Sequence, residues 1–70
     1  MNKPLTFIEV RRQIGNPVRN QATSAQLDCL ASLIAKLANG GKIRWDRSQG
    51  RGFTVYDASA AIERYKSLSN

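Results

Sequence analysis

Apolar residues recur along this chain at two periods, and the change from one to the other divides it. Phe7, Val10 and Ile14 fall at steps of three and four, which places them on one face of a helix. Thr6 stands just before them and Glu9 three residues further on. In that spacing the hydroxyl and the carboxylate satisfy amides that a first helical turn leaves open. Leu5 can staple onto Val10, and Gly15 supplies a stop, so the spacing predicts a helix over about 7 to 14 with Arg11 and Arg12 off its apolar stripe. Residues 15 to 23, GNPVRNQAT, have no period and contain Asn-Pro, which disfavours helix; they read as a loop carrying Arg19. Thr23 and Gln26 then repeat the capping signature. Leu27, Leu30, Ala31, Ile34, Leu37 and Ala38 predict a central helix over about 24 to 38, stopped by Asn39-Gly40-Gly41.

Beyond Gly41 the period falls to two. Lys42, Ile43, Arg44, Trp45 and Asp46 alternate, and so do Phe53, Thr54, Val55 and Tyr56, with Ser48-Gln49-Gly50 between them as turn material. The pattern predicts a β-hairpin over about 42 to 56, pairing Trp45 with Phe53 and Ile43 with Val55 on one face. In that register Trp45 anchors the fold. Asp57 caps a last helix over about 58 to 68, with Ala58, Ala61, Ile62, Tyr65 and Leu68 as its buried stripe and Arg64 and Lys66 in water. The expected fold is α+β, in the order α-α-β-β-α.

Length limits what such a fold can hold. Seventy residues make one small domain, 1 to 70, whose core takes a handful of large side chains and leaves no room for a deep cleft. Charge points outward: eleven Lys and Arg against five Asp and Glu give +6, an imbalance that favours polyanionic partners. Four of the eleven, Lys42, Arg44, Arg47 and Arg51, lie in the hairpin segment and are the first candidates for nucleic-acid contact, with Arg11, Arg12 and Arg19 behind them.

Chemistry narrows the class further. The chain has no His, one Cys and five scattered carboxylates, so an enzyme is not expected; nor is a metal site, a cofactor or a small-molecule substrate. Cys29 has no partner for an internal disulfide, and no apolar run approaches the ~20 residues that span a bilayer. The expectation is a cytoplasmic protein with no membrane association.

Two local resemblances accompany this reading. The run RGFTVYD, 51 to 57, looks somewhat like the RNP1 stretch of RNA-recognition motifs, although that fold needs four strands and the pattern here offers two. The last thirty residues cover more: a helix ending in Gly, a basic hairpin and a capped helix resemble the end of small winged helix-turn-helix proteins of the excisionase and MerR type. That resemblance implies a winged-helix-like, DNA-binding regulator of transcription or architectural factor on duplex DNA, with Lys42, Arg44, Arg47 and Arg51 as wing contacts. The preceding helix exposes Ser24, Gln26, Asp28, Ser32 and Lys36, a poor set for reading bases, so the expectation is backbone contact through the hairpin. A second class stays open on size and composition: a small inhibitor from a phage or mobile element, anti-CRISPR-like, that docks on a host protein complex. Cys29, Leu33 and Lys36 form its candidate interface, and the same patch would serve a homodimer.

Overall fold

The computed structural model describes residues 4–46 and 49–69, which contain three helices: α1 (Phe7–Ile14), α2 (Ser24–Asn39) and α3 (Val55–Ser69). All three start the same way. Thr6 Oγ1 accepts from the amide of Glu9 at 3.1 Å, Thr23 Oγ1 from that of Gln26 at 3.1 Å, and Thr54 Oγ1 from that of Asp57 at 3.0 Å. Gln26 also returns the bond, its Oε1 accepting from Thr23 N at 3.0 Å, so α2 has a complete capping box.

The third start corrects the expected architecture. Phe53 to Tyr56 alternates like a strand, but Thr54-x-x-Asp57 is the helix-start signature already present at Thr6 and Thr23. The helix takes Val55 and Tyr56 into its first turn. Asp57, expected as the cap, lies inside that turn. The α+β class, the hairpin over 42 to 56 and the winged-helix wing are therefore overturned: among the described residues the regular structure is helical, with no strand.

Helix direction gives a second reason why no hairpin forms. Gln26 Nε2, at the start of α2, donates to Val55 O at the start of α3 at 3.2 Å, and Lys42 Nζ, just past the end of α2, reaches Leu68 O near the end of α3 at 3.5 Å. The two helices thus run roughly parallel. A hairpin would return the chain to the C-terminal end of α2; a parallel α3 needs it delivered to the N-terminal end. For the 16 residues of α2 that is a distance of roughly 24 Å at 1.5 Å per residue. Residues 42–46 and 49–53 are spent on this crossing.

At its far end the crossing does pair, with a different partner from the one expected. Phe53 O accepts from Ala22 N at 2.8 Å and Asn20 O accepts from Val55 N at 3.0 Å, flanking an isolated antiparallel bridge between Gln21 and Thr54. Asn20 takes a positive φ of 56° to make that approach. The loop of 15 to 23 supplies the edge that residues 42 to 46 were expected to supply.

At its near end the crossing is launched by a Schellman turn. Lys42 N donates to Leu37 O at 2.9 Å and Gly41 N to Ala38 O at 3.1 Å, with Gly41 at φ 73°, a conformation that disfavours a side chain. Asn39, the last residue of α2, clasps the chain before α1. Its Oδ1 accepts from Leu5 N at 2.7 Å and its Nδ2 donates to Leu5 O at 2.8 Å.

α2 is the axis of the core, packing on both α1 and α3. Val10 and Ile14 from α1, Leu27, Leu30 and Ile34 from α2, Ala58 from α3 and Phe53 from the crossing are buried in one cluster. Full burial of each large side chain among them stabilises by about 1.5–3 kcal/mol relative to exposure. Leu5, Ile43, Trp45, Ile62 and Tyr65 pack on this cluster while half-buried. Two members of the expected stripes are displaced: Phe7 is 40% exposed at the start of α1, and Leu68 is 41% exposed in the last turn of α3.

Candidate nucleic-acid interface

The crossing segment keeps its alternation without being a strand. Lys42, Arg44 and Asp46 are exposed, while Ile43 and Trp45 turn inward onto the core. Trp45 is fixed further by its indole N–H, which donates to Gln13 Oε1 on α1 at 2.7 Å. Asp46 and Gln49 then exchange two bonds: Gln49 N donates to Asp46 O at 3.1 Å, and Gln49 Oε1 accepts from Asp46 N at 2.9 Å. Arg47, expected as a wing contact, and Ser48, expected in the turn, lie outside the described residues.

Past this turn, between Gly50 and Phe53, Gly52 brings the chain back against the loop of 15 to 23. A Cβ at Gly52 would overlap the carbonyl oxygen of Asn16 and the side chain of Val18, so the close approach requires glycine. Arg51, just before Gly52, lays its guanidinium over the Phe53 ring, 4.8 Å from the centroid, and brings Nη1 to 3.8 Å from Asp57 Oδ2 while staying 64% exposed. Phe53 is buried beneath it.

Between the crossing and α3 lies an open cleft of about 510 Å³. Trp45, Gln49, Arg51 and Phe53 line it from the crossing. α3 contributes Asp57, Ala60, Ala61, Arg64 and Tyr65, which at steps of three and four occupy one helix face. Three of the chain's five aromatics therefore meet in one concavity. Trp45 and Tyr65 are half-buried and open to it, and Ala60 and Ala61 keep the α3 wall low. Two arginines face one carboxylate among the described residues of the cleft, and Asp57 is engaged by Arg51, which leaves Arg64 as the second cation of the lining. Such a surface can hold a planar group against aromatic rings and an anion against guanidinium donors.

The candidates read from the sequence distribute unevenly around this cleft. Arg51 lines it. Lys42 is directed to the carbonyl end of α3, where a cation meets the negative end of the helix dipole. Arg11 is held away by a salt bridge to Asp28, Nε to Oδ1 2.8 Å, which ties α1 to α2. Arg12, Arg19 and Arg44 are exposed but are not among the cleft residues. Cys29 and Leu33 are half-buried beside exposed Lys36, so that patch offers little free apolar area. Cys29 is a free thiol.

Arg64, Tyr65 and the two alanines were missing from the expected site. Their signal was in the sequence: with α3 started at Thr54, positions 57, 60, 61, 64 and 65 form a face that is small in the middle, aromatic and basic at one end. Among the described residues, no group of three His, Cys, Asp or Glu is placed to hold a metal ion, and no helix is long and apolar enough to cross a membrane. No family model, curated protein or solved structure matches the chain.

Proposed function

We propose that this protein is a non-enzymatic nucleic-acid-binding factor that uses the cleft between the crossing segment and α3. The observation that carries the reading is the meeting of Arg51 and Arg64 with Trp45 and Tyr65 in one concavity, on a chain of net charge +6. Exposed Arg12, Arg19 and Arg44 outside the cleft add a general attraction for phosphate. A regulatory or architectural role in the cytoplasm fits a small binding domain whose one cysteine stays a thiol. Binding of labelled oligonucleotides, measured as anisotropy between low and physiological salt, tests the reading. Affinity should fall with log salt in proportion to the phosphates neutralised, about 0.7 to 0.9 for each. Absence of binding at low salt would sink it.

A further inference from the structure

The cleft is concave, and this restricts the form of nucleic acid it can take. A duplex is read by an element that protrudes into a groove, a helix or a two-stranded ribbon. Here the segment that would have formed such a ribbon is pinned flat: Ile43 and Trp45 pack on the core, and the indole is bonded to Gln13 at 2.7 Å. A concave, aromatic, arginine-flanked site suits a ligand that can bring a flat ring inward while its phosphates stay at the surface.

Resting on the proposed nucleic-acid reading, we propose that the cleft receives an unpaired base of a single strand, seated against Trp45 and Tyr65 over the low wall of Ala60 and Ala61, with the flanking phosphates on Arg51 and Arg64. The aromatic contact requires a π-face and no particular base edge, so the site tolerates sequence and discriminates strandedness.

Trp45 is the chain's single tryptophan, so its emission reports directly on the cleft. The test titrates the protein with a short oligothymidylate, with the duplex formed from it and oligoadenylate, and with inorganic polyphosphate. The oligothymidylate should quench Trp45 and bind about tenfold or more tightly than the duplex, the fold-change expected of one stacked base. Polyphosphate should leave the emission unchanged. Ala60→Leu fills the cleft at an exposed helix position without altering charge; it should keep the melting temperature and weaken oligothymidylate binding by about tenfold or more. Duplex binding equal to single-strand binding, or an Ala60→Leu variant that binds normally, overturns the inference while leaving nucleic-acid binding in place. Failure of all three polyanions to bind overturns both.

Discussion

The indole N–H of Trp45 donates to Gln13 Oε1 at 2.7 Å across 32 residues of sequence, joining the crossing segment to α1. α1 and α3 each pack on α2, and this bond ties the segment that lines the cleft with α3 to α1. Gln13→Ala would leave the half-buried N–H without its partner and should destabilise by about 1–2 kcal/mol. For a domain of this size each kcal/mol lowers the melting temperature by roughly 4–8 °C, so calorimetry resolves the change. Gln13→Glu keeps an acceptor at the same reach and should lose less.

Thr54, and not Asp57, starts α3. Thr54→Ala should therefore cost about 0.5–2 kcal/mol, with a loss of helical circular dichroism. Asp57→Asn leaves that cap in place and weakens an exposed ion pair, so its cost should stay within about 1 kcal/mol. The reverse ranking would return the helix start to Asp57.

Two glycines should respond to alanine for different reasons. At Gly41 the cost comes from a left-handed φ of 73°, and about 1 kcal/mol is expected. At Gly52 it comes from overlap with Asn16 and Val18, and overpacking should cost about 1–3 kcal/mol. Adding Val18→Ala to Gly52→Ala should restore part of that loss, because the Asn16 carbonyl still blocks the Cβ. Full restoration would mean that the backbone there yields.

Arginines that look alike in sequence should separate by function. Arg51→Ala with Arg64→Ala should lower the salt slope for single strands by about 0.7 for each phosphate that is no longer neutralised. Such exposed substitutions usually change stability by within about 0.5 kcal/mol. Arg11→Ala breaks a partly exposed pair with Asp28, should cost at most about 1 kcal/mol, and should leave the slope unchanged. A slope that falls with Arg11 and holds without Arg51 and Arg64 would move the site to α1.

The first two helices were legible because their signals agreed: a threonine cap, an acceptor three residues on, and an apolar stripe at helical spacing pointed the same way. At 53 to 57 the signals conflicted. Period two extended over four residues there, which a strand end and a capped helix start satisfy equally. Nothing within the segment reveals whether the next helix runs parallel or antiparallel to α2; that is decided by contacts such as Gln26 with Val55, 29 residues apart. For the cleft, the basic and aromatic residues Trp45, Arg51 and Phe53 that the crossing contributes were legible in the sequence. Its other wall was not, because Arg64 and Tyr65 join it only through that helix direction.

The parallel placement of α2 and α3 also bears on how fast the chain can reach this state. Small helical bundles fold quickly because neighbouring helices meet through short turns. Here Leu5 waits for Asn39 across 34 residues, Gln13 for Trp45 across 32 and Gln26 for Val55 across 29. Each closure spans close to half of the 70-residue chain, and its entropy must be given up before the bonds it brings can form. In a stopped-flow experiment this all-helical domain should refold at the pace of mixed α/β domains, well behind up-and-down bundles of its length.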